Sequence, residues 1–216
     1  MSILNIEKVS FAYSKKKNVL KDLDLIFEKG STYAIMGRSG AGKTTLLSLI
    51  SGLEPVREGK ILYNGRNISE LDRENYRSRN IGVVFQNFNL LFHLTAVENV
   101  ILSMDISGVG SGSKQKKEKA YSLLEKVGLD RDKADRRVLK LSGGEQQRVA
   151  IARAVSYDPD IVIADEPTGN LDQSTEKEIM DLLTSLAVNE NRCVIIVTHS
   201  PSVAQRADII YEIAAP

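Results

Sequence analysis

The run Tyr33-Ala-Ile-Met-Gly-Arg-Ser-Gly-Ala-Gly-Lys-Thr-Thr-Leu-Leu constrains this chain more than any other stretch. An apolar strand, Tyr33 to Met36, enters a glycine-rich turn, and the turn opens into a helix expected to start near Lys43. Gly37, Gly40 and Gly42 permit backbone angles closed to residues with a Cβ. The amides of Arg38, Ser39 and Ala41 through Thr45 can then converge as an anion-binding nest. The helix N-terminus adds unpaired donors and roughly half a positive charge. Lys43 supplies a full charge for the β- and γ-phosphates of a nucleotide, and the Thr44 hydroxyl a ligand for Mg²⁺. The bland alternative is a turn that merely joins strand to helix.

Further apolar strands end in polar residues, where ligands bind in open α/β sheets. Ile81 to Phe85 ends at Gln86, Val194 to Thr198 at His199, and Ile161 to Ala164 at the adjacent acids Asp165 and Glu166. Two acids at the end of a buried strand are costly without a cation or partner. Asp165 suits a Mg²⁺ ligand, and Glu166 suits a group that orients and deprotonates an attacking water. The competing reading has both acids cap the next helix, expected from Ser174 to Ala187 after the turn Gly169 to Asp172.

Leu141-Ser-Gly-Gly-Glu145 opens another helix, with Ser142 at the N-cap and Glu145 three residues on, the spacing of a capping box. Gly143 and Gly144 leave the first amides unobstructed, which makes a second anion site. One phosphate chain does not need two such sites from one subunit, so the surplus suggests a site shared between two copies. Thr95 to Glu98 has the same capping spacing.

Near the N-terminus, Ile3 to Tyr13 and Val19 to Phe27 alternate as antiparallel strands around the basic turn Lys15-Lys16-Lys17. Tyr13 either packs beside Phe11 or offers its ring to a purine base. Lys60 to Tyr63 reads as a short strand, Ser107 to Ser113 as a flexible connection and Lys114 to Val127 as a basic amphipathic helix. Ser200-Pro201 reads as an N-cap followed by proline at the first helical position, and Asp208 to Ile213 as a last strand. The stretch from about 87 to 156 is helical and interrupts the strand alternation, so it reads as a separate lobe. His93 stands alone in its loop and is not read as a metal ligand.

The 216 residues are 42% hydrophobic and carry a net charge of +1, so no field favours nucleic acid as the partner. The lone Cys193 cannot form an internal disulfide and reads as buried filler. No apolar run reaches the ~20 residues that a bilayer requires. Without a signal-peptide core at the N-terminus, the expected site of action is the cytosol.

Taken together, these stretches resemble the nucleotide-binding subunit of an ATP-binding-cassette (ABC) transporter over essentially the whole chain. The elements fall in the family's order: Gly37 to Thr44 (Walker A), Gln86 (Q-loop), Leu141 to Glu145 (signature), Ile161 to Glu166 (Walker B and its glutamate), Gly169 to Asp172 (D-loop) and His199 (H-loop). The segments Phe85-Gln-Asn-Phe-Asn-Leu, Glu145-Gln-Gln-Arg-Val-Ala-Ile-Ala-Arg-Ala and Ala164-Asp-Glu-Pro-Thr-Gly-Asn-Leu-Asp resemble one subgroup more closely. That subgroup serves lipoprotein release, macrolide and antimicrobial-peptide export, and cell division in bacteria. A proline common before its signature is replaced here by the run Arg137-Val-Leu-Lys-Leu141, and the short C-terminal end leaves little room for a regulatory domain.

The resemblance implies an α/β fold: a P-loop NTPase (RecA-like) core with a parallel sheet, an N-terminal antiparallel β subdomain and an inserted α-helical subdomain. It implies one domain, with about 1–86 and 157–216 as catalytic core and about 87–156 as the helical part. ATP and Mg²⁺ are the implied cofactors. Tyr13 would stack on adenine, Gly37 to Thr45 hold the phosphates, and Thr44, Gln86 and Asp165 face the metal. Gln86 would sense the γ-phosphate near a contact with a separately encoded membrane permease. Glu166, His199, Lys43 and Gln86 would carry the chemistry, with His199 holding the γ-phosphate and the water. Ser142, Gly143, Gly144 and Glu145 would face the Walker A of a second copy, so that two ATP molecules lie in a head-to-tail homodimer with Asp172 at its seam. The expected function is ATP hydrolysis that drives the permease, on the cytoplasmic face of a bacterial plasma membrane. An alternative is ATP-driven control of a membrane partner in cell-wall remodelling without transport. A DNA-repair or translation ATPase fits less well, because the chain has no coiled-coil insertion between Lys43 and Ser142 and no second cassette.

Overall fold

Strict alternation of apolar side chains to two faces, the period of a β-strand, builds the centre of this molecule. The computed structural model describes residues 2–13, 18–109 and 112–214. The basic turn expected at Lys15-Lys16-Lys17 lies outside them. In chain order, β1 (Ser2–Phe11) and β2 (Leu20–Glu28) are followed by β3 (Thr32–Met36), α1 (Lys43–Ile50), β4 (Glu58–Tyr63) and β5 (Arg66–Asn67). A three-residue helix, α2 (Arg73–Asn75), precedes β6 (Ile81–Val84). Then come α3 (Ala96–Ser107), α4 (Ser113–Lys126), α5 (Arg131–Ala134) and α6 (Gly143–Val155). The chain continues with β7 (Ile161–Asp165), α7 (Gln173–Glu190), β8 (Cys193–Thr198), α8 (Pro201–Ala204) and β9 (Ile209–Glu212).

Five strands form a wholly parallel sheet in the order β6-β7-β8-β3-β9. Four form an antiparallel sheet in the order β2-β1-β4-β5. Ile161 and Ile163 of β7, with Cys193, Ile195 and Val197 of β8, point to the face shared with α1 and the antiparallel sheet. Their neighbours Val162, Ala164, Val194 and Ile196 point to the other face, against α6 and α7. Buried on both faces, the strands read as continuous apolar runs, as parallel strands do. Each fully buried Ile or Val contributes about 1.5–3 kcal/mol.

The helices α3, α4 and α6 pack on one another, and their buried side chains join those of β6, β7, β8 and α7 in one continuous cluster. The helical region therefore shares a core with the sheet. Its key element, α6, is rooted beneath β6. The capping boxes expected at Thr95 and Ser142 both form. Ser200 occupies the N-cap of α8 with Pro201 after it, but its hydroxyl meets Ser202, and its amide donates to Thr198 Oγ1 at 3.0 Å. Cys193 is fully buried, and burial pushes its thiol well above the ordinary value.

Candidate active site: a phosphate cleft at the carboxyl ends of the parallel strands

The strands β3, β6, β7 and β8 point their C-terminal ends at one cleft. Ser39, Gly40, Gly42, Lys43, Thr44 and Thr45 line it after β3, with Val19 beside them. Gln86 enters from beyond β6, Asp165 and Glu166 from β7, and His199 from beyond β8. Gly37 and Arg38 border the adjoining hollow, which also contains His199.

The loop's shape requires its glycines. Gly42 is left-handed at φ +93°, and a Cβ there would stand 2.8 Å from Val19 O and 2.7 Å from Leu20 Cδ2. A Cβ on Gly37 would stand 2.6 Å from the Ile213 carbonyl oxygen. Gly42 is the N-cap of α1 and brings no side-chain acceptor, so the helix opens without a capping side chain. Free amides at a helix start, a left-handed glycine and a lysine together form an anion cradle. Lys43 Nζ donates to the carbonyls of Gly37 (2.7 Å) and Arg38 (3.2 Å), which folds its charge over the loop.

Across the cleft, Glu166 has a left-handed backbone at φ 45°, a conformation costing about 1–3 kcal/mol in a non-glycine residue. Its amide donates to Val197 O at 2.9 Å, tying the kink to β8. The kink turns the carboxylate toward His199, whose Nδ1 lies 2.7 Å from Oε1, while Thr198 Oγ1 donates to Oε2 at 3.3 Å. The Glu166 side chain is 15% exposed and that of His199 70%. At Asp165, burial raises the carboxyl above its ordinary pKa and the charge of Glu166 adds to this, while Lys43 opposes. An oxygen-rich set of Thr44, Gln86 and Asp165 around the cradle fits a hard cation such as Mg²⁺.

The following helix, α7, is capped by Asp172, which accepts from the amides of Ser174 (3.1 Å) and Thr175 (3.0 Å). The Ser174 and Thr175 hydroxyls also donate to Asp172, and these bonds hold its carboxyl far below the usual range. Asp165 and Glu166 thus have no capping duty. Tyr13 is 64% exposed, rests edge-on against Phe11, and places its hydroxyl 3.3 Å from Thr45 Oγ1. It is not a core residue; it lines a hollow of its own with Asn18 and Arg57, outside the cleft lining, with its hydroxyl beside Thr45.

Ser142, Gly143, Gly144 and Glu145 do not line this cleft. Ser142 Oγ accepts from Glu145 N at 3.3 Å, Glu145 Oε2 accepts from Ser142 N at 2.8 Å, and Lys133 Nζ pairs with Glu145 Oε1 at 3.0 Å. Those bonds keep the Glu145 carboxyl below its ordinary value. A Cβ on Gly143 would meet only Leu171 Cδ2 at 3.7 Å, whereas one on Gly144 would strike Thr175 Cγ2 at 2.6 Å. Sequence reasoning missed the Thr198 hydroxyl on Glu166 and the Lys43 bonds to the loop. A hydroxyl residue just before His199 was the available signal for the first.

A profile of the family described as ABC transporter matches residues 20–169. The chain is 46% identical over 212 residues to the uncharacterized ABC transporter ATP-binding protein YclH of Bacillus subtilis (strain 168), covering 97% of this chain and 92% of that one. It is 41% identical over 212 residues to the lipoprotein-releasing system ATP-binding protein LolD of Legionella pneumophila (strain Paris), covering 95% and 92%. Among solved structures, it superposes with a TM-score of 0.87 at 34% identity on the dimeric post-hydrolysis state of the ATP-binding cassette MJ0796 bound to ADP and Pi, covering 98% and 94%.

Proposed function

The chain belongs to the ABC transporter family as an ATP-binding cassette, and on that premise we propose that two copies bind and hydrolyse MgATP to drive a separately encoded membrane permease. One observation carries the reading. Lys43, Thr44, Gln86, Asp165, Glu166 and His199 surround a single cleft, while the second anion site at Ser142 to Glu145 stands outside it. A second copy turned head to tail brings its Ser142, Gly143 and Gly144 to the open side of that cleft, which completes the cradle.

Within it, the loop amides from Arg38 to Thr45 and the Lys43 ammonium hold the β- and γ-phosphates, and the Tyr13 ring stacks on the adenine. Mg²⁺, when bound near Thr44, Gln86 and Asp165, neutralises charge on the phosphate oxygens. Glu166 orients the attacking water and takes its proton as the water oxygen bonds to the γ-phosphorus and the bond from that phosphorus to the oxygen of the leaving ADP breaks. His199 Nδ1 and Thr198 Oγ1 hold the two oxygens of that carboxylate in place. Loss of the γ-phosphate removes the link between Lys43 of one copy and the glycines of the other, and the copies part.

Leu91 and Phe92 lie a few residues beyond Gln86 and are 41% and 50% exposed, while Phe88 and Leu90 pack inward. The exposed pair is the permease contact. Among the described residues no helix is long and apolar enough to cross a membrane. Likeness to the ATP-binding subunits of membrane transport systems supports a peripheral subunit on the cytoplasmic face. Likeness to a lipoprotein-releasing ATPase supports export or extraction of a lipoprotein, peptide or drug. Residues of about 87–156 are read as the helical signature subdomain, packed on a core that it shares with the parallel sheet.

Glu166→Gln tests the chemistry. Phosphate release from MgATP should fall by about 10²–10⁴-fold, while a MgATP-dependent dimer persists on size exclusion. Retained hydrolysis would remove Glu166 from its role.

A further inference from the structure

Two residues beyond Gln86, the backbone does something unusual. Phe88 and Asn89 are both left-handed, at φ 58° and 49°, with no glycine to relieve either. Successive L-residues keep such angles only where their surroundings hold them. Local bonds contribute, from Phe88 N to Phe85 O at 3.0 Å and from Asn89 N to Asn87 O at 2.6 Å. The Phe88 ring also packs against the core, and a further hold comes from a side chain of another element. Arg153, in the last turn of α6, donates Nη2 to the Phe88 carbonyl at 2.9 Å and Nη1 to the Asn89 carbonyl. Among the described residues its hydrogen bonds go to these two carbonyls, and no carboxylate pairs with it. The guanidinium is half-buried, and burial lowers its pKa. A planar fork suits two adjacent carbonyls in a way that a lysine ammonium cannot reproduce.

The same helix begins at the signature. The ten residue steps from Gly143 to Arg153 span about 15 Å at the α-helical rise. Val149, Ala150, Ile151 and Ala152 between them are fully buried. The helix is a packed rod with the second anion site at one end and the hold on the Gln86 loop at the other.

We propose that Arg153 is a positioning residue that clamps the left-handed Phe88–Asn89 pair and so fixes Gln86 in the cleft in register with the signature end of α6. It acts through Gln86 and touches neither nucleotide nor metal. The proposal rests on the ATPase reading of the cleft, which the turnover of the wild-type protein tests separately.

The experiment compares Arg153→Lys, Gln86→Ala and the double variant. Arg153→Lys keeps the charge and most of the stem but loses the fork. Its kcat for MgATP should fall about tenfold with KM little changed, the size expected from one lost charged hydrogen bond. Amide exchange at residues 86–90 should rise while exchange in β7 and β8 stays slow, a readout that needs no turnover. The double variant should be no slower than Gln86→Ala alone. Losses that multiply, or unchanged exchange at 86–90, would overturn the proposal. Asn89→Pro approaches the clamp from an exposed position and leaves α6 intact, since proline fixes φ near about −65°. It also removes the amide that donates to Asn87 O, so it should reproduce the kcat loss with a modestly lowered thermal midpoint, and a wild-type kcat would also overturn the proposal.

Discussion

Replacing Gly42 by alanine asks how tightly the phosphate loop is built. The backbone there sits at φ +93°, which costs an L-residue about 1–2 kcal/mol. The added methyl would also lie 2.8 Å from the Val19 carbonyl oxygen and 2.7 Å from Leu20 Cδ2, with Val19 Cγ1 at 3.1 Å. Overpacking of this kind adds about 1–3 kcal/mol. The carbonyl belongs to the residue just before β2, whose amide donates to Phe11 O at 2.7 Å, so the loop is what must shift. Gly40 is the control. Its φ of +79° carries a similar backbone cost, but nothing lies within 4 Å of a Cβ placed there. Urea unfolding should show Gly42→Ala losing about 2–5 kcal/mol and Gly40→Ala about 1–2 kcal/mol. MgATP affinity, read by titration calorimetry, should fall much further for Gly42→Ala. Equal losses in the two variants would refute the contribution assigned to the Val19–Leu20 contact.

Tyr13→Ala should weaken MgATP binding about two- to tenfold, the worth of one ring contact, with little change in unfolding midpoint because the ring is exposed; Tyr13→Phe should bind nearly as wild type. Equilibrium titration with a fluorescent ATP analogue separates the two. Asp208 accepts bonds from Thr32 N and Thr32 Oγ1, both at 2.7 Å, which hold its carboxyl below the ordinary 3.8. Its stabilisation is therefore complete above the unfolded value and is lost as pH falls through the lower native one. Asp208→Asn should flatten the acid limb of the stability–pH curve, measured by denaturant midpoints between neutral and acid pH, and leave its shape near neutrality unchanged.

Much of this architecture could be read from the chain because the chemistry dictates the residue. A phosphate cradle needs glycine at Gly42, and a buried parallel strand needs the unbroken run Ile161 to Ala164 before its acids. The capping boxes at Thr95 and Ser142 announced themselves through a hydroxyl and a glutamate at fixed spacing. What stayed hidden depends on backbone shape. The left-handed angle of Glu166 aims its carboxylate at His199, yet glutamate gives no sign of it. Nor do Phe88 and Asn89 announce the turn that Arg153 holds. The stretch from 66 to 80 has no apolar period, and it folds as a short strand, a 3₁₀ turn, α2 and a π-helical turn. Whether Tyr13 was core or exposed could not be decided from alternation, because its neighbour Phe11 shares its face and is buried.

Mixing two disabled subunits tests the shared site most directly. Lys43→Ala removes the charge on the phosphates. Gly143→Asp places a carboxylate at the second anion site, where a Cβ has room beside Leu171. Each variant alone should be silent in phosphate release, because every site in its dimer carries the lesion. Combined, they form dimers in which one site joins an intact Lys43 to an intact Gly143, and turnover should return. A mixture that stays silent, or either variant turning over MgATP at the wild-type rate by itself, would contradict a cleft completed by the second copy.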